Sequence, residues 1–213
     1  MLRKLRHLGI GTKLLSGFAF VAVLGGAVGG WELFVMRGIQ DGFGSVYNNR
    51  VLPLERLKAI SDAYAVHIKD AAHKVGVGLL TFEDALRMVG EARASIEEEW
   101  SQYEQSSKTE QEKVLAEQVL ALRAVADERL GALEDILRSQ DHASLGIFTA
   151  TELYPLIEPI TTKLSELVAL QLRVAGEDFR AAEAAYNRAR DVAFASILAA
   201  VLASIGFGLA LTR

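Results

Sequence analysis

Apolar positions fall into three regimes along this chain. From Leu14 to Trp31, and again from Val192 to Leu211, no charged side chain interrupts the apolar run. Each run is roughly 18–20 residues, and a helix rising ~1.5 Å per residue over that length just crosses a ~30 Å hydrocarbon core. Between them lies a long charged segment whose apolar residues recur every three or four positions, the period of an amphipathic helix.

That middle segment resolves into four helices. After Tyr47 the apolar positions are Val51, Leu54, Leu57, Tyr64, Ala71 and Val75. Pro53 falls inside this helix near its base and disfavours helical angles at Leu52, which predicts a kink. Val75-Gly76-Val77-Gly78 reads as a C-terminal cap, and Thr81-Phe82-Glu83-Asp84 as a variant capping box opening the second helix. The second helix would bury Leu86, Val89, Ile96, Trp100 and Tyr103.

The break Ser106-Ser107-Lys108 precedes a fuller capping box, Thr109-Glu110-Gln111-Glu112. The third helix then carries the seam Leu115, Val119, Leu122, Ala126, Leu130, Leu133 and Leu137. Its spacings of four and three suit knobs packed between neighbouring helices. After a loop from Gln140 to Gly146, the fourth helix is expected to begin around Thr149 to Tyr154. Its seam reads Leu153, Ile157, Ile160, Leu164, Leu167, Gln171 and Val174. No proline or glycine stands between Gly176 and Gly206, so this helix is predicted to run unbroken into the second apolar run.

The fold class that follows is all-α. Four helices with short connections alternate in direction, giving an antiparallel up-down four-helix bundle continuous with two transmembrane helices. The loops near Gly76 and His142 lie at the end far from the membrane, and the Ser106 loop lies close to it. Five segments result: a leader, 1–13; a first transmembrane helix, 14–36; the bundle, 37–191; a second transmembrane helix, 192–211; and residues 212–213, where a cytoplasmic part would start.

Charge gives the orientation. The leader holds Arg3, Lys4, Arg6 and Lys13 without one acid, the excess expected on the cytoplasmic side. The chain of 213 residues carries a net −4, although the leader contributes four positive charges, Glu32 one negative and Arg213 one positive. The segment from Arg37 to Asp191 therefore carries −8 and is placed outside, with both chain ends inside. The leader and Gly25 to Ala27 also fit a secretory signal with a cleavage site. The length of the apolar run and the helical pattern that continues past it favour a retained span.

Chemistry-bearing motifs are sparse. There is no cysteine, which removes disulfides, thiolate metal sites and thiol catalysis together. The histidines are His7, His67, His73 and His142, and Asp70-Ala71-Ala72-His73 is a weak half of a bundle di-metal motif at most. No nucleophile elbow, phosphate loop or zinc-helix motif is present. The sequence calls for no enzyme activity, no cofactor and no metal, and its acidic balance argues against nucleic acid. In the spans, small residues repeat every four positions at Gly25 and Gly29, at Gly26 and Gly30, and at Ser196, Ala200, Ser204 and Gly208, a spacing that lets helices approach closely.

The basic leader, a first span, Tyr47-Asn48-Asn49-Arg50-Val51-Leu52-Pro53-Leu54, four helices and a span ending in Leu211-Thr212-Arg213 together resemble one family. They look like the front half of a bacterial methyl-accepting chemotaxis receptor with a four-helix-bundle periplasmic sensor domain. In that family a HAMP linker and a cytoplasmic coiled coil follow the second span, and the same input module also fronts some sensor histidine kinases and cyclic-dinucleotide enzymes.

The resemblance implies an inner-membrane homodimer whose bundles pack along their first helices. It implies a small solute bound between the first helix of one subunit and the fourth of the other. Here those surfaces hold Tyr64, His67, Lys69, His73 and Lys74 on one side, and Tyr154, Glu158, Thr161 and Thr162 on the other. Aspartate-sensing members use an arginine cluster on the first helix, but no arginine stands between Arg56 and Arg87. Bidentate recognition of an amino-acid carboxylate is therefore not expected here. A periplasmic binding protein as partner, or a purely structural bundle without a ligand, are the other readings.

Overall fold

In the computed structural model the backbone is described for residues 10–212 and the side chains for residues 10–209. Most of the basic leader, Arg3, Lys4 and Arg6 included, lies outside the described residues, as do Arg213 and the side chain of Leu211. The described chain is helical, without strands, and holds four long helices: α1 (Ile10–Gly76), α2 (Phe82–Glu104), α3 (Glu110–Ser139) and α4 (His142–Leu209, its turns continuing to Thr212). It divides into two compact units, Met1–Gly44 with Asp178–Arg213, and Ser45–Glu177.

The second unit is the bundle. Within it α1 packs on α2, α2 on α3, α3 on the start of α4, and the upper part of α1 on α4. Each side of this square also carries a polar clasp. Arg56 bonds Gln102 across α1 and α2, and Arg93 pairs with Glu134 at 2.9 Å across α2 and α3. Arg173 donates to Gln111 at 2.9 Å across α3 and α4. Lys69 lies 4.2 Å over the Tyr154 ring across α1 and α4. The loops after α1 and α3 meet at one end, where the Phe82 and His142 rings are 4.7 Å apart, edge to face. The alternation of helix directions expected from short connections is what the chain adopts.

Helix ends follow the local chemistry. Gly78, at φ 75°, ends α1 in a Schellman arrangement: Leu79 N–H donates to Lys74 C=O at 2.8 Å and Gly78 N–H to Val75 C=O at 3.0 Å. Thr81 Oγ1 accepts from Asp84 N–H at 3.1 Å at the start of α2. Lys108 Nζ donates to three carbonyls at the end of α2, those of Tyr103, Glu104 and Ser106, at 2.7–3.1 Å. At the start of α3, Thr109 and Glu112 form the reciprocal capping box.

Two expectations are corrected here. Leu52 keeps helical angles (φ −62°, ψ −47°), so Pro53 does not break α1. Instead the turn Tyr47–Val51 widens into a π-helix, and Leu52 N–H reaches Tyr47 C=O five residues back. Pro53 cannot donate to the Asn49 carbonyl, and Arg50 Nη1 donates to it instead at 3.3 Å. A second widened turn, Thr149–Leu153, precedes Pro155 at the same offset in α4, and a third, Ala63–Ile68, lies in α1 without a proline. The other correction concerns the start of α4. It begins at His142, capped by the Asp141 carboxylate on the Ala143 and Ser144 N–H groups at 2.9 and 3.1 Å, so the connection after α3 is only Gln140 and Asp141. The two Ser144 bonds hold the Asp141 carboxyl below the usual carboxylate range.

The core is a column of buried side chains from all four helices, including Leu57, Ile60, Val89, Ile96, Leu130, Leu133, Ile160 and Leu164. Every seam position expected on α4, from Leu153 to Val174, is buried. On α3 the seam turns slightly: Ala116 and Arg123 are buried, while Leu115 and Leu122 are half-buried at its edge. Leu86 is likewise at the edge of α2, with Ala85 inside. Val51, expected in the first seam, is exposed.

The first unit holds the apolar halves of α1 and α4. Both pass the length and composition test for a membrane span, and none of either apolar window is buried. A core helix of a soluble protein would be covered. Phe20 and Phe207 stack at 4.5 Å, and Gly25, Gly29, Ala200 and Ser204 line one groove between the two helices. Ser196 and Ser204 donate to carbonyls of their own helix at 2.8 Å, which satisfies their hydroxyls within the helix.

Candidate functional site

The expected ligand surfaces on α1 and α4 adjoin two widened turns, Ala63–Ile68, which ends just before Lys69, and Thr149–Leu153, which ends just before Tyr154. Of the candidates, Tyr64 and His67 lie inside the first of these turns and none inside the second. Lys69 and Tyr154 are brought together, ammonium over ring at 4.2 Å. This cation–π contact fixes the facing edges of α1 and α4. Glu152, inside the α4 widened turn, pairs with Arg129 of α3 at 3.4 Å and closes the other flank.

The remaining candidates stay apart. His67, His73, Lys74, Glu158 and Thr162 are exposed on the outer faces of α1 and α4. Lys74 is held by Asp70 at 3.2 Å, one turn back, which offsets its charge. Thr161 is half-buried, and its hydroxyl bonds back to the Ile157 and Glu158 carbonyls at 3.1 Å. Tyr64 lies in the bundle interior and not on the surface, with 0% of its area exposed. A single chain thus presents two half-surfaces, basic on α1 and hydroxyl-bearing on α4, joined only at Lys69 and Tyr154. Among the described residues no group of three or more acids and histidines is placed to hold a metal ion.

Tyr64 belongs to a different polar cluster. It faces Arg123 of α3, a residue only 5% exposed, whose guanidinium lies 5.1 Å over the Trp100 ring and bonds Glu97 at 2.8 Å. The Tyr64 hydroxyl is set against the Arg123 guanidinium. Burial pushes its pKa up to about 12, opposed by the positive charge of Arg123. The unfolded chain ionises this phenol near pH 10 while the folded chain keeps its proton, so the contribution to stability is intact below pH 10 and disappears as pH rises toward 12. Alkaline unfolding followed by circular dichroism should therefore steepen over that interval. Tyr64→Phe should flatten the slope, and an unchanged slope would assign the alkaline loss to other groups.

Near the other end of the bundle, α1 and α3 meet through charge. Arg50 Nη1 donates to the Glu112 carboxylate at 3.4 Å and to the Ser107 carbonyl at 3.5 Å. Glu112 is wholly buried, and Oε2 also accepts the Thr109 N–H at 2.5 Å. Tyr103 and Gln171, both buried, complete this layer; burial, reinforced by Glu112, holds the Tyr103 phenol well above its ordinary range. Burial likewise lowers the pKa of Lys108, which lies 4.5 Å over the Tyr103 ring. Sequence reasoning named Thr109 and Glu112 only as a cap, Tyr103 and Gln171 only as seam positions, Ser107 and Lys108 only as a helix break, and Arg50 only within the Tyr47–Leu54 stretch. The signal that could have joined them was Gln171, the one amide in an otherwise apolar seam.

With this geometry in hand, comparisons with known proteins give a consistent picture. A family described as a four helix bundle sensory module for signal transduction matches residues 7–186. A methyl-accepting chemotaxis protein of Pseudomonas putida, NahY, is 34% identical over 162 residues, covering 75% of this chain and 30% of the relative. The chain thus spans less than a third of the length of that relative. No solved structure matches significantly.

Proposed function

The chain belongs to the family of four-helix-bundle sensory modules for signal transduction, and from that premise we propose that it is the input half of a chemoreceptor that binds a small solute outside the cell. The family's role is sensory signalling, and the two exposed apolar helices fit a membrane-bound receptor. The finer reading places the protein in the inner membrane as a homodimer, with the bundle on the periplasmic side. The solute would sit between the α1 face of one subunit and the α4 face of its partner.

One observation carries this reading. Each of two π-helical turns ends just before the contact where Lys69 of α1 meets Tyr154 of α4, and His67, His73, Glu158 and Thr162 remain exposed around it. Widened turns inside long helices recur at functional sites because they re-aim side chains without ending the helix. The lysine and histidines suit a small anion, held as point charges and single donors. A ligand that prefers one arrangement of the dimer shifts the population by that difference in affinity and no further. α4 continues from this level into the second span and is the element that transmits the shift. A chain of this family in front of another output domain would use the same site.

Cysteine pairs test the dimer and the site together, since the chain has no cysteine of its own. In the full chain in membranes, single cysteines at the outward positions Lys58, Asp62, Val66 and His73 should crosslink to a second copy. Cysteines at the inward Ile60, Ile68 or Ala71 should not, because a disulfide needs Cα atoms within about 7 Å. A panel of small anions should then raise the melting temperature of the dimer. A ligand at ~100 times its Kd adds about 2.7 kcal/mol, and Lys69→Ala should abolish that gain. Uniform or absent crosslinking would remove the shared site. Clear crosslinking without a ligand response would favour a structural bundle or a protein partner instead.

A further inference from the structure

The segment read as the first span, 14–36, contains one charged residue, Glu32. Its depth follows from the helix beside it. Phe20 stacks on Phe207 at 4.5 Å, and Glu32 shares a groove with Ile197. Glu32 therefore stands level with Ala195 to Ile197, ~5–8 Å inside Val192, the outer edge of the second apolar run. Side chains of a helix lean toward its N-terminus, which for α1 is away from that edge, so the carboxyl is carried deeper.

Glu32 is half-buried beside α4, and among the described residues none donates to its carboxyl or forms an ion pair with it. The nearest cations along the two helices, Arg37 and Arg190, stand about 7–10 Å further out, and Arg190 is held by Asp191 at 3.0 Å. Ionisable residues inside spans face another helix and pair there, because acyl chains offer no hydrogen bond. Lipid would fill the groove and leave this carboxyl bare. A second copy would not: in a parallel two-fold pair each residue meets its own counterpart at the same depth. Ser196, the other polar side chain at this level, already gives its proton to the Ala193 carbonyl of its own helix at 2.8 Å.

We propose that Glu32 pairs with Glu32 of the partner subunit inside the membrane, a protonated carboxyl of one copy donating to the carboxylate of the other. Two carboxylates at that distance cannot both be ionised, so the pair shares a proton. The proposal rests on the parallel homodimer put forward above and adds a contact in the spans that fixes which faces of the two α1 helices meet. Glu32 lies on no solute surface, and its role is positioning.

The test uses the full chain in lipid vesicles and reads the dimer at two places by disulfide crosslinking. Val66→Cys, exposed on α1 in the bundle, reports dimerisation as such. Gly25→Cys, two turns inward from Glu32 on the same face, reports the pairing of the spans, since a disulfide needs Cα atoms within about 7 Å. Both should crosslink in the parent chain. Glu32→Leu should lower crosslinking at position 25 about three- to twentyfold, the worth of one interhelical hydrogen bond in a membrane. Glu32→Ala should do the same, in case leucine restores contact by packing alone. Glu32→Gln should keep it, because two amides also bond each other. Crosslinking at position 25 that is absent in the parent, or unchanged in both Glu32→Leu and Glu32→Ala, overturns the proposal. So does an equal loss in Glu32→Gln, which would assign Glu32 to a cation on another membrane protein. No crosslinking at position 66 would remove the dimer itself and the proposal with it, an outcome the second position tells apart.

Discussion

Replacing Arg50 by alanine should destabilise the bundle by about 3–5 kcal/mol, the range found when one partner of a buried ion pair is removed. The size follows from what is left behind. Glu112 has 0% of its area exposed and no route to water, and the Arg50 guanidinium is the cation beside it. The bond it accepts from the Thr109 N–H does not neutralise the charge. The substitution also withdraws the donor from the Asn49 carbonyl, whose helical partner would be the nitrogen of Pro53. Arg138 is the control, because its pair with Asp135 is largely exposed and such pairs contribute ~0–1 kcal/mol. Urea unfolding of the full chain in detergent, followed by circular dichroism, separates the two variants. Coincident midpoints for Arg50→Ala and Arg138→Ala would mean that Glu112 finds another partner or reaches solvent.

The second large effect lies in the column of leucines. Leu133→Ala and Leu164→Ala should each cost ~2–5 kcal/mol, since each empties a site with no exposed area, enclosed by other helices. Leu122→Ala should cost distinctly less, because Leu122 is half-buried at the edge of the seam and water replaces what is removed. Glu128→Ala, on an exposed position of the same helix, should change little. The same unfolding measurement ranks them. If Leu122→Ala matched Leu133→Ala, the observed rotation of α3 would not describe the folded chain.

That rotation shows where sequence reasoning stops. The α4 seam was legible because seven positions share one period and only one of them, Gln171, is polar. On α3 the same period admits two neighbouring stripes. The choice between Leu122 and Arg123 is made by other helices: Trp100 offers its ring to the guanidinium, and Glu97 offers a carboxylate. A periodicity argument counts arginine as polar and cannot see those partners.

The widened turns were hidden for a related reason. A proline removes one donor, and a helix absorbs that loss either by bending or by taking an extra residue into the turn. Nothing local to Pro53 or Pro155 selects between these. The extra residue before Pro155 also shifts the phase between Phe148 and Leu153, which detached Leu145 and Phe148 from the α4 seam and made a loop of the helix start. Asp141, followed three residues later by Ser144, was the cap signal that marked the true start. At the ligand surfaces the legible part was charge. Lys69, His73 and Lys74 lie outside the core as their polarity requires, whereas Tyr64 has a ring suited to the interior and went there.

The shared carboxylate of Glu112 limits what evolution can place at that position. It caps the start of one helix and anchors another. Aspartate is one methylene too short to serve the Thr109 amide and the Arg50 guanidinium together. Glutamine brings an NH2 group to a place where two donors already converge. An apolar residue strands the arginine. Position 112 is therefore close to a one-letter alphabet, and a change there has to travel with a change at position 50.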